Sequence, residues 1–293
     1  MHVPVLKKEV LKYLDPKPNE NFVDCTFGEG GHAKAILEKN GPEGKVLGIE
    51  WDETQAKKIS AEKPDKRLIV VCGNFANLKS IVRDHSFGQV HGILFDLGIS
   101  SWHLEESGRG FTFRKDEPLD MRFSESSEFT AEDIINKYPE NEIARILKEY
   151  GQERFARSIA GKIVEIRSAR RITRTVQLVN AVMAATATWY HRRKTHPATK
   201  TFQALRMAVN QELENIAKAL PQALDILESE GKLAVISFHS LEDKIVKNFI
   251  REQAAQRRLT ILTKKPVLPS REEIKLNLRC RSARLRVAVK AEI

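Results

Sequence analysis

Four short apolar runs, FVDC (22–25), KVLGI (45–49), RLIVV (67–71) and VHGILFDL (90–97), alternate with helix-like stretches around 31–39, 53–62 and 75–84. Runs of this length and composition are strands buried on both faces, and strands that alternate with helices wind into a parallel sheet. A fifth run of the same character, KLAVISF (232–238), comes only after a long interval, and a helix is predicted after it at about 241–256. RLTILT (258–263) and RLRVAVK (284–290) then follow with no helix-length pattern between them, which predicts an antiparallel pair.

The interval has a different texture. After an irregular stretch rich in Gly, Arg and Asp (105–127), AEDIINKY, ENEIARILKEYG, RFARSIAGKIVEIRSA and TRTVQLVNAVMAATATW carry apolar residues at helical spacing. An inserted helical domain over 105–200 is expected, with a sheet domain made of 1–104 and 201–293. HPATK (196–200) closes the insert: Pro197 disfavours helix before it, and Thr199 is the expected cap of a helix over about 200–219. Pro221 is expected to open the next helix.

Composition narrows the function. The chain of 293 residues has a net charge of +10, and that charge is regional: 151–200 carries +9 and 251–293 carries +8. Basic segments on an otherwise acidic body suit a polyanion, most simply nucleic acid. Cys25, Cys72 and Cys280 are far apart and never in a CxxC pair, so they read as small buried residues of a reducing compartment, not as disulfides or a zinc site. No apolar run is long enough to span a membrane, and the N-terminal stretch lacks a secretory pattern, so a cytoplasmic location is expected.

DCTFGEGGHAKAIL (24–37) follows the first run and opens a helix. Three glycines there, Gly28, Gly30 and Gly31, permit positive φ and close approach of another molecule. Gly28, Gly30 and Ala33 satisfy GxGxx(G/A), and Glu50 at the tip of the second strand stands where a ribose-binding acid is expected. This pattern fits a nicotinamide dinucleotide and S-adenosylmethionine alike; the antiparallel final pair and the DLGISS segment (96–101) favour the second. Asp96 closes a run as apolar as GILF, a costly place for an acid unless something polar meets it.

TFGEGGH (26–32), FDLGISS (95–101), GRGFTFRKDEPLDMRF (108–123), THPATKTFQALRMAVNQEL (195–213), ISFHSLEDKIVKNFI (236–250) and RCRSARLR (279–286) closely resemble the RsmH family, also called MraW. The resemblance covers nearly the whole chain. It implies an α/β fold, the Rossmann-like class I S-adenosylmethionine-dependent methyltransferase, with a mainly parallel sheet, an antiparallel final strand and an inserted all-helical domain. The implied activity is methylation of N4 of a cytidine in the decoding region of 16S rRNA, probed against two alternatives, an NAD-dependent oxidoreductase and a non-catalytic RNA-binding protein. Carried over by position, the S-adenosyl-L-methionine contacts fall on Gly30, Gly31, His32, Glu50, Phe75, Asp96 and His103. The sequence departs from the family's pattern at Glu50 (usually Asp), Glu117 (usually Gly) and Leu278 (commonly Pro).

Asp96 and His239 are the candidate catalytic residues, and no metal is called for. Ser240 is expected to cap the helix after the fifth strand, with Asp243 completing a box-like start. One of Trp102, Phe111 and Phe113 is expected to stack on an unstacked base. Arg167, Arg170, Arg171 and Arg174 are expected to hold flanking phosphates of 16S rRNA, within the small ribosomal subunit or free. The sequence leaves the oligomeric state, monomer or homodimer, open.

Overall fold

The structure, a computed structural model, describes residues 4–61 and 65–292. The end of the helix expected over 53–62 therefore lies outside the described residues. The chain divides into two compact units, one formed by 1–98 and 213–293 and the other by 99–212.

The first unit holds a seven-stranded sheet of β1 (Phe22–Asp24), β2 (Val46–Glu50), β3 (Leu68–Cys72), β4 (Val90–Asp96), β5 (Leu227–Ser237), β6 (Leu259–Ile261) and β7 (Arg284–Lys290). Their order is β3-β2-β1-β4-β5-β7-β6. The first five strands are parallel, while β7 runs antiparallel to both β5 and β6. This is the class I methyltransferase arrangement that the sequence predicts. Its helices are α1 (Lys7–Leu14), α2 (Gly31–Leu37), α3 (Glu53–Ala61), α4 (Leu78–Asp84), α12 (Glu212–Ile226), α13 (Ser240–Ala255) and α14 (Arg271–Leu276).

Alternation along each strand sends side chains to two cores. Val23, Leu47, Ile49, Ile93, Phe95, Leu233 and Val235 pack into one with α12 and α13. Phe22, Val46, Leu94, Ala234, Ile236 and Val287 pack into the other with α1 and α2. Burial on both faces is why these strands read as continuous apolar runs. Cys25 and Cys280 are buried, but Cys72 is exposed, because β3 is the edge strand and Cys72 its last residue.

The second unit comprises α5 (Ser101–Glu105), α6 (Ala131–Lys137), α7 (Glu140–Glu149), α8 (Ala156–Ala169), α9 (Thr175–Ala185), α10 (Thr188–His191) and α11 (Thr199–Asn210). Ile134, Ile143, Leu147, Ile159, Ile163, Leu178 and Val182 form its core. Its limits fall outside 105–200 on both sides. Ile99 and Leu104 before it pack half-buried against this helical core, and Phe202, Leu205 and Val209 after it are buried in it, so the chain on either side goes with it.

Two helix boundaries differ from expectation. The helix expected over 200–219 ends at Asn210, where Gln211 takes a left-handed conformation at φ 48°, and Pro221 lies inside the next helix instead of opening it. Pro221 costs that helix one hydrogen bond. Ile216, Leu220, Ala223 and Leu224, all buried in the sheet unit's core, hold the helix through it. At the start of α11 the N-cap is Ala198, not Thr199, and the Ala198 N–H donates to His196 Nδ1 at 3.2 Å.

Candidate functional site

Because β1 to β5 are parallel, their last residues lie along one edge, and four of the five are polar: Asp24, Glu50, Asp96 and Ser237. Ligands of open parallel sheets bind at this edge. The glycine turn leaves from the same place. It stays tied to both neighbouring strands, through Cys25 N–H to the Leu94 carbonyl at 2.8 Å and Phe27 N–H to the Ile49 carbonyl at 2.9 Å.

Gly28 and Gly30 both adopt positive φ, 53° and 72°. The space beside Gly30 and Gly31 is not left for another molecule as the sequence suggests. A Cβ at Gly30 would lie 2.5 Å from the Phe27 ring and one at Gly31 2.4 Å from Pro4 Cγ. The same ring presses on β2, where a Cβ at Gly48 would meet it at 2.1 Å. Phe27 is buried, and these glycines let it sit between strand and turn. What Gly30 and Gly31 can offer a ligand is main chain.

Glu50 is buried and bridges the turn to its own strand: Oε2 accepts from Gly28 N–H and Oε1 from Asp52 N–H, both at 2.9 Å. Its length relative to aspartate gives it this reach to the turn. Burial raises its pKa to about 7 against the lowering effect of those backbone donors.

Asp24, His32 and Asp96 form a second cluster. Asp24 is fully buried, accepts from Thr26 N–H at 3.2 Å, and has its pKa raised to about 6, first by burial and further by the negative charge of Asp96, while His32 opposes the rise. Thr26 Oγ1 in turn accepts the Asp96 N–H at 2.6 Å. His32 Nε2 lies 3.6 Å from Asp96 Oδ2. Both His32 Nε2 and Asp96 Oδ1 are buried without a hydrogen-bond partner among the described residues. Such atoms are costly in a folded chain unless a polar ligand meets them. The sequence reading missed Asp24, although an acid ending the apolar FVD run is the same signal that singled out Asp96.

At the rim beyond β5, the cap of α13 is His239, not Ser240. His239 accepts the Glu242 N–H at 3.4 Å, and Glu242 Oε2 accepts the N–H groups of Phe238 and His239 at 2.7 and 3.2 Å. Nε2 of the same ring lies 3.0 Å from Glu242 Oε1 but has no hydrogen-bond partner among the described residues. Both ring nitrogens thus face the residue that fixes the loop. Asp243 does not complete the box; it pairs with Arg286 at 2.6 and 3.1 Å and with Arg284 at 3.3 Å. Phe75 opens a 3-10 turn capped by Asn74, half-buried, with its ring edge-on to Phe95 at 5.6 Å.

His103 belongs to the helical unit. Its Nδ1 lies 2.6 Å from Ser100 Oγ, and its ring sits within about 5 Å of Trp102, Phe111 and Phe123. Phe111 is buried in that core, and Phe113 stacks on His196 at 4.6 Å. Glu117 accepts the Gly110 N–H at 2.9 Å and so closes its own loop. Three of the four arginines expected to hold phosphates are engaged within the protein. Arg171 pairs with Glu132 at 2.7 Å, Arg174 with Asp116 at 2.8 Å, and Arg167 donates to the Ile135 carbonyl at 2.6 Å.

The chain matches the MraW methylase family over residues 1–291. It is 46% identical to ribosomal RNA small subunit methyltransferase H of Heliobacterium mobile, over 99% of this chain and 98% of that protein. It is 45% identical to the protein of the same name from Persephonella marina, over 98% of each. No helix among the described residues is long and apolar enough to cross a membrane.

Proposed function

This chain belongs to the MraW methylase family, and on that footing we propose that it methylates N4 of a cytidine in the decoding region of 16S rRNA. The names of its relatives support small-subunit rRNA as the substrate class. The observation that carries the cofactor side is the acidic sheet edge, with Asp24, Glu50 and Asp96 at the ends of three neighbouring parallel strands and two orphaned polar atoms between them. S-adenosyl-L-methionine fits it: a sulfonium and an ammonium are cations, and a ribose supplies hydroxyl donors to Glu50. The match to a methylase family over residues 1–291 disfavours the oxidoreductase alternative.

The cofactor supplies an activated methyl group. The protein's part is placement. Gly30 and Gly31 contribute main chain, His32 and Asp96 polar side chains, Glu50 a ribose acceptor and Phe75 a ring face. Cytosine N4 is a poor nucleophile because its lone pair is delocalised into the ring. Asp96 accepts a hydrogen bond from the amine and turns that lone pair toward the methyl, and orientation of this kind is worth much of the barrier. His239 acts as a positioning residue that fixes the rim loop through Glu242. The target base must leave its stack, which costs least in a loop or single strand.

Labelled methyl from S-adenosylmethionine should appear at a cytidine N4 of small-subunit rRNA, read by nuclease digestion and mass spectrometry. Label at another atom would refute the assignment, and no transfer to any form of that RNA would leave the non-catalytic alternative standing.

Glu50 gives the cofactor site a pH signature. Its folded pKa of about 7 lies above the ordinary carboxylate value, so it favours the folded chain as the protonated acid, and that contribution fades as pH rises through 7. Ribose hydroxyls donate, so they favour the ionised form. S-adenosylhomocysteine should therefore bind more tightly at pH 8 than at pH 6, with protons released on binding, as calorimetry in buffers of different ionisation enthalpy would show. Glu50→Gln should bind more weakly and lose the pH dependence, because Gly28 and Asp52 present two donors and an amide has one acceptor. A pH-independent wild type would remove Glu50 from the ribose.

A further inference from the structure

The helical unit carries an exposed aromatic cluster at α10. Trp189 on α10 is 49% exposed, and its ring centroid lies 5.9 Å from that of Phe155 and 5.7 Å from that of Tyr190. The cluster is anchored from below. Tyr190 is buried and donates through its hydroxyl to Glu153 Oε2 at 2.8 Å, and Glu153 Oε1 accepts the Phe155 N–H at 2.9 Å. Two rings are thus fixed on a buried carboxylate, and a third stands in solvent.

Cations surround this cluster. The Arg154 guanidinium lies over the Trp189 ring at 5.4 Å and that of Arg193 over Tyr190 at 5.1 Å. Arg157, Arg192 and Lys194 are exposed beside them in the chain. None of Arg154, Arg157, Arg192 and Arg193 has a carboxylate partner among the described residues, in contrast to Arg171 and Arg174. A depression of about 450 Å³, lined by Lys148, Glu153, Arg154, Phe155 and Arg157 among others, opens beside the Phe155 ring. A nucleobase fits within that volume.

We infer that Trp189, with Phe155, Arg154, Arg157 and Arg193, is a docking platform for a single-stranded nucleic-acid segment, one base stacking at Trp189 and its flanking phosphates meeting the arginines. Aromatic rings interleaved with unpaired arginines are what an unstacked base and its phosphates require. A protein partner of ordinary composition would leave four uncompensated cations at the contact, whereas a phosphodiester supplies one negative charge per residue. The inference rests on the rRNA reading and names a surface by which that RNA is held.

Trp189 is half exposed at the outer side of the Phe155–Tyr190 cluster, so its replacement should lower the melting temperature only slightly. With small-subunit rRNA and labelled donor, Trp189→Ala should raise the KM for RNA about tenfold with kcat and S-adenosylhomocysteine affinity unchanged, and Trp189→Phe should recover most of the loss. A short single-stranded RNA should quench the wild-type tryptophan emission, with most of the quench lost in Trp189→Phe and only the share of Trp51 and Trp102 left, and the same sequence as a duplex should quench far less. An unchanged KM in Trp189→Ala beside an active wild type would overturn the platform and leave the enzymatic reading intact. Equal quenching by single strand and duplex would also overturn it, since phosphate contact alone would then account for binding. The quench needs no turnover, so a chain that methylates no rRNA but shows single-strand quenching would sink the enzymatic reading and keep the platform.

Discussion

Asp96→Asn should slow single-turnover methyl transfer by a factor on the order of 100 to 1,000, the usual effect of removing one group aligned with charge developing in the transition state. The side chain keeps its shape, and its backbone N–H still donates to Thr26 Oγ1. Only the charge and one acceptor are lost. S-adenosylhomocysteine, which lacks the methyl, should lose far less affinity than the rate loses, and the ratio of the two effects separates holding the cofactor from turning the amine. The apo chain should be slightly more stable, because Asp96 is one of the charges that raise the Asp24 pKa to about 6 and its removal relieves that repulsion. A single-turnover rate within threefold of wild type would eliminate Asp96 as the acceptor.

The parallel strands are legible in the sequence because burial on both faces leaves no polar alternation to confuse with a helix, and the acids Glu50 and Asp96 are legible because each ends such a run. What the sequence conceals is pairing across distance. The partners of Arg171 and Arg174 are Glu132 and Asp116, 39 and 58 positions away, so a basic segment that reads as a phosphate grip is partly spent on the protein's own loops. Further cations without a carboxylate partner among the described residues lie around Trp189, a residue that reads only as the end of a helical pattern. Local exceptions hide in the same way. Gln211 has no sequence feature that announces a left-handed turn, and His239 is not among the residues that ordinarily cap a helix. At the glycine turn the positive φ of Gly28 and Gly30 is legible, while a second reason for a bare Gly30 is not, since the ring that fills its Cβ position is Phe27, three positions earlier.

The largest stability effect is expected at Asp243, which joins the first turn of α13 to the antiparallel strand β7. Its carboxylate receives two bonds from Arg286, with both side chains about one-tenth exposed, and a third from the more exposed Arg284. Burial pushes its pKa up, but the hydrogen bond from Arg286 and the charges of Arg286 and Arg284 more than offset this and hold it below the ordinary value. Removing one partner of a pair this enclosed leaves a buried guanidinium uncompensated, at a cost of about 3 to 5 kcal/mol. Asp243→Ala should therefore lower the melting temperature by roughly 10 °C at pH 7. The pH dependence carries the sign. A depressed folded pKa contributes stability above the unfolded value that is lost as pH falls toward and through the folded one, so the gap between wild type and Asp243→Asn should be full at pH 7 and shrink below about pH 4. A gap that held constant down to pH 3 would assign the effect to packing and not to the charge. Because the same turn of α13 carries the His239 cap and Glu242, Asp243→Asn should also loosen the rim loop, which hydrogen exchange at the Phe238 and His239 amides would report.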